Sequence, residues 1–342
     1  MTYSVYQHWD PLRVCVVGKS YPPEFYSWIK VPRVRDLFET IARETEEDYQ
    51  GLVKKLQEFN VKVLRPELGD LSQYLMPGDQ QYLPPPMTPR DICVMIGDRF
   101  YHHFTPNQSG YQDPYDHVLQ HIRAQGNEIR YVSNLGAING STVSRLGRDL
   151  YFGTERYDQD IGHLEEFVRH EFVDYRTHVV NTGGHIDGTY CPVTPGLIFS
   201  IVDAPSFAQT FPGWEVIYLE NQSWGMIKDW AALKDKNNGK WWIPGFEQDQ
   251  EVISTVEKWL SHWVGYVEET VFDVNMLVLD SKNVLMLSHN QQVVDALTRY
   301  GITAHVVPFR HRYFWDGGLH CITADLDRTG TMQDYFPSRD RV

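Results

Sequence analysis

The sequence predicts a mixed α/β fold, and two patterns along the chain carry that prediction. The first is a strand, a helix and a strand in succession, over residues 12–17, 34–59 and 61–64. The second is a hairpin followed by a helix and a further strand, a unit that recurs along the chain without an obvious sequence repeat. A chain of 342 residues is long enough for one large domain of this kind, and we expect residues 1–342 to form it.

Periodicity and turn residues predict the elements of the first half. Gly18 closes the first strand, and apolar residues then recur at spacings of three and four from Val34 to Ile41, which is typical of a helix. The Pro-rich stretch 65–90 lacks periodicity and predicts a long surface loop. The remaining expected elements are a hairpin over 92–96 and 99–104, a helix over 114–125, a strand over 129–132, a hairpin over 143–146 and 150–153, a helix over 158–171 and a strand over 177–180.

The second half begins with strands over residues 197–202 and 214–219. Residues 220–270 then break the pattern, and we predict that they form an insertion or lid within the domain. This stretch is rich in tryptophan, and its tryptophans are expected more often in the core than at a ligand; they are Trp224, Trp230, Trp241, Trp242, Trp259 and Trp263. The last expected elements are a hairpin over 276–280 and 284–288, a helix over 291–300, a strand over 304–307 and a hairpin around Cys321.

Composition and charge exclude several classes of function. A net charge of −14 argues against nucleic acid as a partner, because phosphate binding needs clustered Lys and Arg. The start of the chain has no signal-peptide pattern, and no apolar run approaches a membrane span, so no membrane partner is expected. Four cysteines without CxxC spacing fit free thiols in a reducing cytoplasm. Nucleotide-binding and zinc-binding spacings are absent too, so we expect neither cofactor nor metal.

Cys321 is the first candidate for catalysis. It follows the Gly317–Gly318 turn and precedes an apolar run, so it is expected at the mouth of a short strand. A thiolate is the most nucleophilic side chain available near neutral pH, and this position therefore suggests covalent catalysis. The alternative is that Cys321 is a small buried apolar residue, as most free cysteines are.

His185 and Asp187 are the candidate partners of this thiol. They are two residues apart, so both side chains face the same way if the segment is extended. A histidine beside a thiol can act as base and then as acid, and a carboxylate on the same face can bind a cationic substrate. Asp91 is a further candidate carboxylate at the start of a strand, with a turn-capping role as its alternative.

Ordered motifs over nearly the whole chain resemble those of one enzyme family. They are Trp9–Leu12 with Val16–Gly18, Pro89–Asp91, Leu146–Asp149, His185–Tyr190, Pro195–Gly196, Asn275–Asp280, Gly317–Cys321 and Gly330–Tyr335. With these motifs the chain resembles the glycine/inosamine amidinotransferases of the pentein superfamily. The resemblance implies a five-bladed β/α propeller of pseudo-repeated ββαβ modules, and by analogy a homodimer would be unsurprising.

The resemblance also implies a reaction and its residues. Cys321 matches the nucleophile that attacks the guanidinium carbon of a donor, and His185 matches the acid and base that serves the departing and arriving amines. Asp91 and Asp187 match the carboxylates that bind the guanidinium group. The implied partners are therefore a small guanidino donor and an amine acceptor.

Three departures from the family pattern bear on the substrate. Asn139 takes the place of the acidic residue that orients the histidine, and a later acidic position of that motif is Thr142. Ala204 takes the place of the arginine that holds the α-carboxylate of the donor. Glu268 and Glu269 take the place of paired serines. These departures put ordinary arginine in doubt as the donor.

Other functions stay open at this point. An acyltransferase or amide-forming enzyme can use the same Cys321 and His185 with Asn139, and a guanidine hydrolase needs only water in place of the acceptor. A binding protein that keeps the fold without the activity is the alternative outside catalysis. We expect an enzyme of amidinotransferase type in specialised metabolism.

Overall fold

The structure is a computed structural model that describes residues 2–74, 82–103, 113–132, 138–154, 161–182, 185–201, 207–219, 243–246, 248–260, 263 and 273–341. The strands of these residues form five three-stranded sheets. In every sheet the middle strand pairs antiparallel with one neighbour and parallel with the other. The same unit is therefore present in each sheet.

The strands are β1 Leu12–Val17, β2 Lys62–Leu64, β3 Cys93–Ile96, β4 Arg99–His103, β5 Glu128–Val132, β6 Val143–Leu146, β7 Asp149–Gly153, β8 Arg176–Val180, β9 Tyr190–Thr194, β10 Leu197–Ser200, β11 Glu215–Tyr218, β12 Leu277–Asp280, β13 Asn283–Met286, β14 Thr303–Val306 and β15 Thr323–Arg328. The helices are α1 Pro32–Glu58, α2 Pro89–Ile92, α3 Asp116–Ala124, α4 Ile161–Glu171, α5 Phe207–Thr210, α6 Gln250–Trp259, α7 Gln291–Arg299 and α8 Arg312–Trp315. Short 3-10 helices occupy Pro23–Trp28, Leu71–Tyr74 and Pro337–Arg341.

Each sheet follows the order strand, strand, helix, strand. In β3, β4, α3 and β5, for example, the first two strands form a hairpin, and the helix leads to a third strand parallel to the second. The first sheet joins the two ends of the chain, because β15 pairs antiparallel with β1, which continues through α1 to β2. The predicted ββαβ arrangement is thereby confirmed, and pairing of the terminal strands closes the series of modules.

The sequence prediction is wrong in three local details. β15 forms no local hairpin and pairs instead with β1, more than 300 positions away in the chain (323 minus 17 is 306). β9 was not predicted. The stretch 65–90 is not exposed throughout, because Met87 and Arg90 at its end are buried. The hydroxyl of Tyr49 on α1 donates to the Met87 carbonyl oxygen and helps to hold this segment against the core.

The described part of the Trp-rich stretch packs against the core. The indole N–H of Trp263 donates to the carbonyl oxygen of Tyr82. The backbone N–H of Tyr82 donates to the carbonyl oxygen of Trp259. Both tryptophans lie against the core cluster that surrounds α1. Most of the predicted insertion or lid, including Trp224, Trp230, Trp241 and Trp242, lies outside the described residues, and the lid and the single domain stay predictions. Of the helices in the described part, none has the length and apolarity that a bilayer crossing demands.

A buried ion cluster around Asp325 of β15 connects this strand to β6 of another sheet and to α2. The carboxylate of Asp325 accepts hydrogen bonds from three arginines, at 2.6 Å from Arg90, 2.8 and 2.9 Å from Arg145 and 2.7 Å from Arg328. All four side chains are at most 2 % exposed. Burial by itself raises the pKa of the Asp325 carboxyl, but the charges of the three arginines hold this pKa well below its usual range. Asp325 is therefore ionised and anchors the strand that follows Cys321.

Candidate active site

Cys321 lies at the junction between the Gly317–Gly318 turn and β15, two residues before that strand begins. The N–H of Gly18, just past the end of β1, donates to the carbonyl oxygen of Ile322. The side chain of Cys321 is nearly enclosed, with the residue 2 % exposed. This hydrogen bond continues the pairing of β1 with β15 and fixes the backbone just after Cys321.

Asn275 binds the same turn from the segment before β12. Its Oδ1 accepts the N–H of His320 at 2.8 Å and the N–H of Cys321 at 3.1 Å. Its Nδ2 donates to the sulfur of Cys321 at 2.9 Å and to the carbonyl oxygen of Asp187 at 3.2 Å. A single buried amide therefore connects Asp187, His320 and Cys321.

Asp187 lies beside the sulfur, on a turn and not on a strand. Residues 185–187 are not extended, which was the condition for His185 and Asp187 to share a face, because Thr189 donates its N–H to the carbonyl oxygen of Ile186 and β9 begins only at Tyr190. The Oδ2 atom of Asp187 is 2.7 Å from Nδ1 of His320 and 3.4 Å from Sγ of Cys321. Its Oδ1 atom is buried and has no hydrogen-bond partner among the described residues.

Burial sets the charge states around Asp187. It raises the pKa of this carboxyl to about 7, while the nearby charges of His185 and Asp91 act in opposite directions. Burial, and then the charge of Arg90, holds the pKa of His320 well below its usual range. His320 is therefore neutral and can donate from Nδ1 to an ionised Asp187.

His185 and Asp91 form a second, more open pair. Nδ1 of His185 lies 3.8 Å from Oδ1 of Asp91, and about a third of each side chain is exposed, 34 % and 32 %. Asp91 lies on α2, and the hydroxyl of Ser141 donates to its Oδ1. Ser141 joins this pair to the Cys321 group, because its carbonyl oxygen accepts the N–H of Asp187 at 3.3 Å while its hydroxyl donates to Asp91.

Arg90 supports both sides of the site. Its Nε donates to the carbonyl oxygens of His320 and Thr323, which flank the thiol along the chain, at 3.1 and 2.8 Å. The same residue precedes Asp91 on α2. Arg90 therefore links the turn that carries Cys321 to the helix that carries Asp91, and the buried cluster at Asp325 holds it in place.

Comparison with known proteins identifies relatives of this chain. No family model matches it. Glycine amidinotransferase, mitochondrial, of Xenopus tropicalis is 24 % identical over 388 residues, which span 97 % of this chain and 84 % of that protein. Two solved structures match the fold of this chain with a TM-score of 0.67. They are SxtG, an amidinotransferase of the saxitoxin biosynthetic pathway from Microseira wollei, and the inosamine-phosphate amidinotransferase StrB1 of Streptomyces griseus. The first is 19 % identical and covers 98 % of this chain and 99 % of its own, and the second is 18 % identical and covers 97 % and 99 %.

The chain is similar to amidinotransferases in sequence over 97 % of its length and in fold. Its fold is the pentein fold, as the ββαβ modules and these structural neighbours agree. The relatives named above are transferases by their names.

Of the residues that matched this family in sequence, Cys321, His185, Asp91 and Asp187 lie together in the structure. Asn139 lies beside them, but its Oδ1 accepts the N–H groups of Ser141 and Thr142 at 3.0 and 2.9 Å and so closes a turn. The carboxylate found beside His185 is that of Asp91. Ala204 and Glu268 lie outside the described residues.

Sequence reasoning missed four residues of this site: Asn275, His320, Ser141 and Arg90. Two carried a usable signal, because His320 is the neighbour of Cys321 and Asn275 begins one of the family motifs. Arg90 is flanked by Pro89 and Asp91 in another motif, and its complete burial could not be read from its type. Among the described residues, no group of three His, Cys, Asp or Glu side chains is arranged to hold a metal ion.

Proposed function

We propose that this protein transfers an amidino group from a guanidino donor to an amine acceptor through a covalent intermediate on Cys321. The observation that carries the proposal is the contact of Cys321 Sγ with Asp187 Oδ2, at 3.4 Å, beside the pair formed by His185 and Asp91. A nucleophile, a titratable imidazole and two carboxylates are thus grouped at one place. The likeness to amidinotransferases supports amidino transfer as the general reaction.

The two carboxylates suit a guanidinium group. Oδ1 of Asp187 is a buried acceptor without a partner in the described part of the chain, and a planar cation with several N–H donors would satisfy it. Asp91 supplies a second negative charge close by. A cation between them would also offset the repulsion between the two carboxylates and favour the ionised form of Asp187.

The reaction is then a double displacement. Sγ of Cys321 forms a bond to the central guanidinium carbon, the bond from that carbon to the donor's amine nitrogen breaks, and His185 gives that nitrogen a proton. The acceptor amine next attacks the amidino carbon, His185 takes its proton, and the carbon–sulfur bond breaks. Before the first step the proton of the Cys321 thiol is on His185, and the second step returns a proton to His185 as the thiolate leaves. The carboxylate of Asp91, 3.8 Å from His185, would stabilise the imidazolium in these two states, while His185 is neutral on the covalent intermediate.

The donor is a small guanidino compound and the acceptor an amine. The name of one similar protein includes glycine, and the description of another places it in the saxitoxin biosynthetic pathway. These names support a reaction of biosynthesis, and we assign it to specialised metabolism. The sequence departures at Asn139, Ala204 and Glu268 leave open whether the donor is arginine or another guanidine.

Mass spectrometry of the intact protein tests the proposal. The protein is incubated with a panel of guanidines, including arginine and agmatine, without an acceptor, and the adduct is located by peptide mapping. We expect one amidino group on Cys321, its loss in Cys321→Ser, and its retention in Cys15→Ala, which removes a buried thiol within the core of β1. If the amidino group can be transferred, adding an amine should remove it from Cys321 and yield the amidino derivative of that amine.

Other outcomes would replace the proposal. Neither adduct nor product across the panel would exclude amidino transfer. Urea or ammonia released without an acceptor would indicate a guanidine hydrolase. Acylation of Cys321 by thioesters, followed by amide formation with an amine, would indicate the acyl-transfer alternative. The occupied Oδ1 of Asn139 gives that last alternative less support, because it already closes a turn.

A further inference from the structure

The ring of His320 lies against the carboxylate of Asp187. Nδ1 of His320 is 2.7 Å from Oδ2 of Asp187, and the histidine is 7 % exposed. The amidino transfer proposed for this protein gives its proton steps to His185 and no part to His320. A buried ring in this position can nevertheless control how Asp187 ionises and where its two oxygens point.

The Oδ2 atom of Asp187 is shared between His320 and Cys321. Sγ of Cys321 lies 3.4 Å from the same oxygen. When the sulfur is a thiolate and Asp187 is ionised, two negative charges face each other across this distance, and their repulsion disfavours both ionised forms. An N–H group that donates to Oδ2 places a partial positive charge at that oxygen and reduces the repulsion.

His320 is the donor in its contact with an ionised Asp187. A carboxylate can only accept, and the ring is neutral, because burial and the charge of Arg90 hold its pKa well below the usual range. The charges of Arg145 and Asp325 act on the ring from the buried cluster. His8 packs beside it with the ring centroids 5.8 Å apart, but Nε2 of His8 accepts the N–H of Arg145 at 3.1 Å and so has a partner of its own.

The backbone of His320 is held without help from its ring. Its N–H donates to Oδ1 of Asn275 at 2.8 Å, and its carbonyl oxygen accepts a hydrogen bond from Nε of Arg90 at 3.1 Å. Both contacts remain when the side chain is replaced. We therefore expect the turn that carries Cys321 to keep its path in variants of His320.

Other groups near Asp187 set the background against which His320 acts. His185 lies on the same turn, and Asp91 and Arg90 act on the carboxyl from α2. The thiol of Cys191 on β9 is neutral, because burial raises its pKa to about 12. All of these groups are retained when only the ring of His320 is changed, so a change in the titration of Asp187 then reports the contact with His320.

We propose that His320 is a positioning residue for the carboxylate of Asp187. Its Nδ1–H holds Oδ2 beside the sulfur of Cys321, keeps the carboxylate ionised next to a thiolate, and leaves Oδ1 to the substrate cation. The inference rests on the proposed binding of a guanidinium group by Asp187. It gives the two oxygens of this carboxylate separate tasks, one toward the protein and one toward the substrate.

Titration of the Asp187 carboxyl tests the inference without any substrate. NMR of isotope-labelled aspartate follows this carboxyl, its signal is assigned by its loss in Asp187→Asn, and every variant carries Cys321→Ser so that the thiol does not titrate beside it. We expect His320→Phe, which removes the donor, to raise the midpoint by about one pH unit, as for a lost hydrogen bond to a charged group. His320→Asn should keep the midpoint near the native value, because its amide places an N–H where Nδ1 was.

Guanidine binding gives a second measurement of the same effect. The Kd of arginine and of agmatine, measured by calorimetry at about pH 7, should rise about fivefold in His320→Phe, because a smaller share of Asp187 is then ionised. In an Asp187→Asn background, the change at His320 should not alter the pH dependence of binding. His178→Phe is the matched control, since His178 contacts Asp149 over the same 2.7 Å between β7 and β8.

The two His320 variants decide the outcome. An unchanged midpoint in folded His320→Phe would overturn the inference, and so would a midpoint in His320→Asn that moves as far as in His320→Phe. If circular dichroism shows that His320→Phe does not fold, the smaller His320→Leu takes its place. If the native protein binds and converts no guanidine, the proposed function fails, and the titration of Asp187 alone then decides whether His320 positions this carboxylate.

Discussion

Asn275 donates a hydrogen bond to the sulfur of Cys321 over 2.9 Å, and the orientation of its amide is fixed by the backbone. Its other atom, Oδ1, faces the N–H groups of His320 and Cys321, which can only donate. The atom that faces the sulfur is therefore the NH₂ group, and the sulfur is the acceptor. A hydrogen bond of this polarity stabilises the thiolate more than the thiol.

The first prediction concerns the acidity of this thiol. We expect Asn275→Ala to raise the pKa of Cys321 by about one unit, because a hydrogen bond to a charged group is worth about 1.5–3 kcal/mol and part of it is replaced by water. The measurement is the rate of iodoacetamide alkylation at Cys321 as a function of pH, followed by mass spectrometry. Burial raises the pKa of Cys15 and Cys191 to about 12, so these thiols react little in the same range.

The matched control for this variant is Asn283→Ala. Asn283 is the first residue of β13, where its amide donates to Asp280 at the end of β12. Its removal should leave the alkylation profile of Cys321 where it was. An unshifted profile in Asn275→Ala, with the protein still folded, would show that the 2.9 Å contact does not influence the thiolate.

The second prediction follows from the pKa of Asp187, which burial raises to about 7. Because a guanidinium is a cation over this whole range, it binds best to the ionised carboxylate. Affinity should therefore increase as the pH rises through about 7 and level off above it. We expect a weakening of about tenfold for each pH unit below that value, measured as Kd of a guanidine donor with Cys321→Ser.

Asp187→Asn provides the comparison, because it removes the titrating group while keeping the shape of the side chain. The variant should bind the guanidine weakly and with the same Kd on both sides of neutrality. An affinity of Cys321→Ser that is flat from about pH 5 to about pH 9 would contradict the role of Asp187 in cation binding.

The third prediction concerns the buried cluster below the site. Asp325→Asn leaves Arg90, Arg145 and Arg328 without their shared carboxylate, and all are at most 2 % exposed. Breaking a buried ion cluster by removing one member costs about 3–5 kcal/mol in the free energy of unfolding. Urea unfolding monitored by circular dichroism measures it. Asp295→Asn at an exposed position of α7 should cost less than about 1 kcal/mol. Equal costs for the two variants would contradict the role of Asp325 as the shared partner of the three arginines.

Much of the fold was predictable because each module repeats a local pattern. Alternating and helical periodicity located β1, α1 and most later elements to within a few residues. β9 was not predicted because Pro192 lies within it, and a proline argues against a strand. The exception has a physical reason: β9 is the edge strand of its sheet, where a missing N–H does no harm.

The site was predictable in part, and the limit lies in contacts between distant segments. Cys321 was located by its turn and strand, which are local. Asn275 reaches it across 46 positions, and the hydrogen bond of one polar side chain leaves no periodic trace in the sequence. His185 and Asp187 would share a face only if their segment were extended, and a turn closes there at Thr189 instead, a feature set by one backbone hydrogen bond.

The fourth prediction joins the turn to the amide that holds it. A Cβ atom added to Gly318 would lie 2.5 Å from Oδ1 and 2.6 Å from Cβ of Asn275, so one of the two residues must move. We expect Gly318→Ala to displace Asn275, slow adduct formation at Cys321 by at least about tenfold, and raise the pKa of the thiol as Asn275→Ala does. Gly51→Ala on α1 is the control, because an added Cβ there meets nothing within 4 Å and favours the helix. Normal adduct formation in Gly318→Ala would mean that the amide and the turn can separate without consequence for the nucleophile.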